Sequence, residues 1–273
     1  MLALEAPAKV NLGLSVLARR GDGFHEVDTL LARLDLADRV ELEPFPTGIR
    51  LEFGEAALPA GPDNLAYRAA ELYLQAAGCG GVRIRLTKRI PIAAGLGGGS
   101  SDAAAVLRGL AQLYPADLDL MAISARLGSD VPFFTQDLAA ARAGGRGEKL
   151  VSVDLPELHL VLANPGVQVS TRDAYFHLQN FSDRLDLPRL TTYLSEGREP
   201  GYHNALQAGV LALAPAIRPV IAALRAAGLQ GVLLSGSGAT CFGIATDPSE
   251  AMRIANQLRA AQPTWWVRAA NTR

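Results

Sequence analysis

The chain has 273 residues, 49% hydrophobic and 19% charged, which excludes a disordered polymer and allows one large domain or two modest ones. Lys plus Arg number 26 against 27 Asp plus Glu, and a net charge of -1 argues against a nucleic-acid binder working by bulk electrostatics, although a local basic pocket for phosphates remains possible. Two distant cysteines, Cys79 and Cys241, argue against a disulfide framework or zinc site and fit a reducing cytoplasm. No basic n-region opens the chain, so no signal peptide is expected. The longest apolar stretch, Leu206 to Ile217, is broken by Pro215 and falls short of the roughly 20 residues that span a bilayer.

In chain order, Ala6 to Leu12 reads as a strand with Lys9 and Asn11 on one face, because strand side chains repeat every two residues. Val40 and Leu42 alternate with Glu41 and Glu43 as in a half-buried strand. Asn64 caps a helix expected to run through Ala77 and to stop at Gly78. Val82, Ile84 and Leu86 alternate with Arg83, Arg85 and Thr87, a strand with a basic outer face. A Gly-rich turn then feeds an Ala-rich helix that begins at about Ser101 and reaches Tyr114. Asp117 to Leu127 reads as a further helix, and Ala143 to Lys149 as a turn. Leu158 to Ala163 is a short strand, Asn180 to Gly201 is loop-rich, and Ile217 to Ala227 is helical. The run from Gly231 to Ala245 reads as strand, small-residue turn, strand. Asp247, Pro248 and Glu250 open a helix to about Ala261, and Thr264 to Ala270 closes the chain as a strand. Strands and helices without strict alternation indicate an α+β fold.

Chemistry concentrates in four segments. Gly95-Leu96-Gly97-Gly98-Gly99-Ser100-Ser101 lets the backbone approach a ligand and runs into a helix N-terminus, whose partial positive charge and unpaired N–H groups suit a phosphate. Ser100 and Ser101 add hydroxyls for phosphate oxygens or a magnesium ion. A flexible loop whose serine merely caps the helix is the competing reading. A P-loop is excluded because no Lys follows the glycines, and a dinucleotide fingerprint because Ser100 stands where the third Gly belongs. Lys9 with Asn11 reads equally as a solvent-facing edge-strand pair, Asp130 in Gly128 to Phe133 as a turn or cap residue, and Ser235 to Ala239 as a tight hairpin turn.

Together these segments resemble the three ordered motifs of the GHMP kinase superfamily: Pro7 to Leu12, Pro91 to Ser101 running on through Ala104, and Leu234 to Ala239. The likeness is strongest to a branch acting on a cytidine diphosphate-linked methylerythritol, and is carried by Asp22-Gly23-Phe24-His25, Leu127 to Phe134 and Asn164-Pro165-Gly166. The resemblance implies two domains, residues 1–152 and 153–273, the first similar to the second domain of ribosomal protein S5 and the second ferredoxin-like. It implies transfer of the γ-phosphate of ATP, with Mg²⁺, to the 2-hydroxyl of that small molecule. By the same resemblance Asp130 is the catalytic base and Lys9 its cationic partner. The triphosphate loop is Pro91, Ile92, Ala93, Ala94, Gly95, Leu96, Gly97, Gly98, Gly99, Ser100 and Ser101, with Asn64 near the adenine and Gly236, Ser237 and Gly238 forming the third motif. The cytidine end falls to Phe24, His25 and Tyr175, with Asn11 and Thr171 as polar contacts. Phe24 stands where relatives often carry Tyr, which keeps a stacking face and removes a hydroxyl. The separate magnesium-binding Glu of some members has no identified counterpart, so metal ligands stay unassigned. A monomer or weak homodimer with no nucleic-acid or membrane partner is expected. A kinase for another alcohol, such as homoserine or mevalonate, is the first alternative. A nucleotide binder without catalysis and an RNA-binding module are the others.

Overall fold

The structure is a computed structural model and describes residues 1–54 and 59–273. The chain divides into two compact units. Two long strands, β1 (Leu2–Arg19) and β2 (His25–Phe45), pair with each other and contribute residues to both units. Ala6 to Val16 are buried without interruption, so β1 lacks the polar alternation that marks a half-buried strand.

One unit comprises Met1–Ala8, Leu36–Ile92 and Gly97–Leu138. Its strands β3 (Ile49–Phe53) and β4 (Gly81–Thr87) pair in parallel, and β4 pairs antiparallel with the end of β2, Leu42 opposite Ile84. The alternation in β4 places Val82, Ile84 and Leu86 in the core. Arg83 and Arg85 face outward to Glu43 and Glu52. Helix α1 (Leu65–Ala77) starts where Asn64 Oδ1 accepts the Ala66 N–H at 2.9 Å and ends at Gly78, whose φ of 61° is left-handed. Helix α2 (Gly98–Leu113) begins three residues before the Ser101 expected from sequence, because Gly97 takes the N-cap position with φ 71°. Gly109 lets α2 sit low on the sheet: a Cβ there would lie 2.3 Å from Leu42 Cδ1. Helix α3 (Leu120–Leu127) is capped by Asp119, which accepts from the N–H groups of Met121 and Ala122, and so starts later than Asp117. A short helix, α4 (Val131–Thr135), follows and was not foreseen.

The other unit comprises Lys9–Asp35, Ala93–Leu96 and Ala139–Arg273. Here the first half of β2 pairs with β5 (Ala140–Gly145), which pairs with β6 (Lys149–Ser152). The expected turn over Ala143 to Lys149 is therefore a hairpin with its turn at Arg146–Glu148. Small residues pair as well as large ones, since ladder bonds use only the backbone. Next come β7 (His159–Asn164) and the helices α5 (Thr171–Phe176), α6 (Leu187–Ser195), α7 (Gln207–Leu213) and α8 (Arg218–Ala226). The chain ends with β8 (Gln230–Leu234), β9 (Cys241–Ala245), α9 (Pro248–Ala261) and β10 (Trp266–Asn271). The four strands form an antiparallel sheet in the order β10-β7-β9-β8. With its crossovers this is the β-α-β-β-α-β topology of a ferredoxin-like fold. Val161, Ala163, Cys241 and Val267 meet Val220, Leu224, Ile254 and Ala255 in its core. The segment read as loop-rich holds α6, which Asp186 caps and which buries Leu190 and Leu194 one turn apart. Burial pushes the Cys241 thiol up to about 12, so it is inert packing. Among the described residues no single helix is long and apolar enough to cross a membrane.

Asp28 is buried in β2, accepts from Arg142 Nε at 2.6 Å and Nη2 at 2.7 Å, and also takes the Leu185 N–H at 2.9 Å. Asp28→Ala strands those donors. It is expected to lower unfolding free energy by about 1.5–3 kcal/mol in urea titration, with Asp28→Asn recovering part of the loss.

Candidate active site

Parts of all three motifs meet in the second unit through backbone contacts. Leu96 O accepts the Lys9 N–H at 2.9 Å, and Ala94 O accepts the Thr240 N–H at 3.1 Å. Gly95, between them at φ 76°, lies so close to the β8–β9 turn that a Cβ would fall 2.1 Å from Ser235 O and 2.9 Å from Gly238 N. Ser235 Oγ closes the contact by donating to Gly95 O at 2.9 Å and receiving the Asn11 N–H at 3.4 Å. Gly236 and Gly238, with φ 54° and 80°, make the turn, and Gly238 N donates to Ser235 O.

Lys9 and Asn11 share a face of β1, as their spacing requires, but that face is buried: each residue is 4% exposed. Lys9 Nζ donates to Asn11 Oδ1 at 2.6 Å, Asn11 Nδ2 donates to Thr29 Oγ1 at 2.9 Å, and Thr29 donates to Gly13 O at 2.7 Å. The chain of bonds fixes the Asn11 amide and offsets the desolvation of a buried ammonium. A Cβ on Gly236 would lie 3.4 Å from Lys9 Nζ, so the lysine tip reaches the third motif. The solvent-facing reading of this pair is therefore incorrect.

His25, at the start of β2, stacks on Tyr175 of α5 with ring centroids 4.9 Å apart and planes 24° from parallel. Burial first, and then the charge of Arg19, pull the His25 pKa below its usual value, so the ring is neutral at pH 7. Phe24 is half exposed, and the Arg146 guanidinium lies 4.7 Å from its ring centre. Thr171 Oγ1 and Ser237 Oγ, 3.1 Å apart, link α5 to the third motif. Arg146 was missed in sequence. Its signal was a cation set in the glycine turn Gly144-Gly145-Arg146-Gly147.

Ala93, with φ 51°, also belongs to the second unit. The remaining site residues belong to the first. Pro91 and the exposed Ile92 enter the loop, and Gly97, Gly98, Gly99 and Ser100 turn into α2. The first turn of α2 has no side-chain cap, and Ser101 Oγ is buried without a hydrogen-bond partner among the described residues. A helix start capped by a glycine leaves its first-turn N–H groups without a side-chain acceptor. Asn64 spends Oδ1 on capping α1. Asp130 sits at the N-cap position of α4 without making a capping bond, so the cap reading of its carboxylate is incorrect. Near the start of α2, Asp102 is buried beside Lys88 and Asp38; burial raises its pKa to about 7 against the pull of Lys88.

The family model for the GHMP kinases N terminal domain matches residues 64–138, and that for GHMP kinases C terminal matches residues 182–264. A 4-diphosphocytidyl-2-C-methyl-D-erythritol kinase of Deinococcus radiodurans is 50% identical over 98% of this chain and 92% of its own length. A protein of the same name from Thermus thermophilus is 49% identical over 95% of this chain and 94% of its own. The crystal structure of a 4-(cytidine 5'-diphospho)-2C-methyl-D-erythritol kinase superposes with a TM-score of 0.89 at 46% identity, covering 100% of both chains.

Gly95→Ala forces a methyl group onto a carbonyl oxygen at a left-handed backbone position. It is expected to destabilise the protein by about 3 kcal/mol or more. Ile92→Ala, exposed in the same loop, should stay within about 0.5 kcal/mol in the same thermal denaturation.

Proposed function

Because the chain belongs to the GHMP kinase family, we propose that it is an ATP-dependent kinase that phosphorylates the 2-hydroxyl of 4-diphosphocytidyl-2-C-methyl-D-erythritol, a step of the non-mevalonate route to isoprenoid precursors. The observation that carries the substrate is the His25–Tyr175 stack beside Phe24. An aromatic platform with a neutral imidazole suits a cytosine, whose π-face stacks and whose edge hydrogen-bonds. Homoserine and mevalonate present no such ring. Asn11 and Thr171 are further polar contacts for this end.

The segment from Pro91 to Ser101 is the proposed triphosphate site, with Asn64 toward the adenine and Gly236, Ser237 and Gly238 completing the third motif. The uncapped first turn of α2 and the unpartnered Ser101 hydroxyl support that fit. Asp130 is assigned as the base that accepts the proton of the attacking hydroxyl. Lys9 offsets negative charge on the transferred phosphoryl group, a reaction governed by positioning and charge stabilisation. Among the described residues no group of three or more His, Cys, Asp or Glu is placed to hold a metal. Mg²⁺ is assigned mainly to the phosphates of ATP and to water, where it would neutralise charge. Residues 1–152 form the proposed amino-terminal ATP-binding domain and 153–273 the carboxy-terminal domain, each containing one of the matched family regions.

ADP release measured over a panel of alcohols tests the substrate. Turnover is expected with the cytidyl diphospho-alcohol and none with homoserine or mevalonate; the reverse result overturns the assignment. Asp130→Asn should keep affinity for a non-hydrolysable ATP analogue and lower kcat by roughly 10²–10⁴-fold; unchanged turnover removes Asp130 from the role of base. Since protonation of His25 removes its acceptor nitrogen, KM for the alcohol should be flat above the depressed His25 pKa and rise as pH falls through it. Steady-state kinetics from pH 5 to 8 on the wild type and His25→Gln read this out, the variant showing no such rise.

A further inference from the structure

A buried ion cluster in the first unit takes no part in the chemistry above. Lys88 Nζ donates to Asp102 Oδ2 at 2.6 Å and to Asp38 Oδ2 in a second direct contact. The three side chains are 9%, 5% and 0% exposed in the order Lys88, Asp102, Asp38. One ammonium against two carboxylates is not an efficient way to stabilise a core, because desolvating ions costs as much as their attraction returns. Its placement gives another account. Asp38 Oδ1 accepts the N–H groups of Arg89 at 2.5 Å and Ile90 at 2.9 Å, the residues that lead into Pro91. Asp102 stands in the second turn of α2, just past Ser101, where the same loop ends. Entry and exit also touch: a Cβ on Gly98 would lie 3.1 Å from Ile90 Cγ2 and 3.4 Å from Asp38 Oδ2.

We propose that Lys88 is a positioning residue for ATP, a single ammonium that clamps both ends of the segment from Pro91 to Ser101 through Asp38 and Asp102. The clamp fixes where the first-turn amides of α2 point. The proposal rests on the reading of that segment as the triphosphate loop. Lys88→Met removes the ammonium that joins Asp38 to Asp102, and Asp102, its pKa already raised to about 7, takes up a proton in its absence. The substitution is expected to raise KM for ATP roughly tenfold or more while KM for the alcohol stays unchanged. Asp102→Asn alone weakens the same link from its other end and should raise KM for ATP selectively as well, while the double variant should be no worse than Lys88→Met, since the link is broken only once. That non-additivity distinguishes a clamp from a lysine that touches ATP itself, for which the two losses would add.

An unchanged KM for ATP in Lys88→Met overturns the proposal. So does an equal rise for both substrates, or losses that add in the double variant. Should Lys88→Met fail to fold, Asp102→Ala releases the exit alone and keeps the Asp38–Lys88 pair. It too must raise KM for ATP selectively, and a selective effect absent there is equally fatal. Calorimetric titration of Gly97→Ala with a non-hydrolysable ATP analogue reports on the loop itself. Weakened binding there with wild-type binding in Lys88→Met removes the clamp and leaves the loop reading standing. Wild-type binding in both removes the loop reading, and the clamp with it.

Discussion

The second unit is organised by a distance too short for any side chain. Backbone meets backbone at Gly95, where even one methyl group would collide with Ser235 O. The hydrogen bonds from Lys9 N to Leu96 O and from Thr240 N to Ala94 O bracket that point, so β1, the loop and the β8–β9 turn share one paired framework. Lys9 owes its burial to this framework. With its ammonium shielded from water, Lys9 needs fixed hydrogen-bond acceptors, and Asn11 Oδ1 is fixed because Thr29 and Gly13 complete the chain behind it. The close approach at Gly95 and the burial of the Lys9 ammonium thus belong to one framework, in which a charge is weakly screened by water.

What sequence reading recovered follows from how local each signal is. Asn64, Asp247 and Gly78 act within one turn of their own positions, so α1 and α9 stand where their caps place them. The alternation in β4 needs only one buried face and was equally legible. β1 was only partly read, because a strand buried on both faces has no alternation. The hairpin of β5 and β6 was read only as a turn because β5 is mostly Ala and Gly, whose contribution is backbone pairing with Val27 to Ala32, and β6 is only four residues long. Helix α6 had its cap and proline in view at Asp186 and Pro188, but its short stripe of Leu190 and Leu194 was outweighed by polar surroundings.

For the site the division is sharper. For Lys9 and Asn11 the residues alone left a solvent-facing pair open as a reading, because alternation predicts which side chains share a face, not which face is buried. That depends on partners more than 200 residues away, such as Ser235. Asp38 and Lys88 carried no local mark at all. Each is an ordinary charged residue in sequence, and their role arises from an approach across 50 positions. The net charge of -1 conveyed nothing about these places, since Lys88 and Lys9 act in surroundings where single charges are not averaged by water.

Two kinds of recognition follow from this arrangement, and they place different demands on the chain. On the proposed reading, phosphate is met by amides at a helix start, which every residue type except proline carries, so that task constrains the sequence mainly through glycines such as Gly97 that shape the turn. On the same reading a base is met by side chains, so that task needs particular rings at particular places: His25 on Tyr175, and Phe24 with Arg146 against its face. The Arg146 cation against the ring of Phe24 holds that half-exposed ring without needing a hydrogen bond. On that reading the kind of acceptor is written in four exposed or half-buried side chains, whereas the kind of donor is written in the course of the backbone.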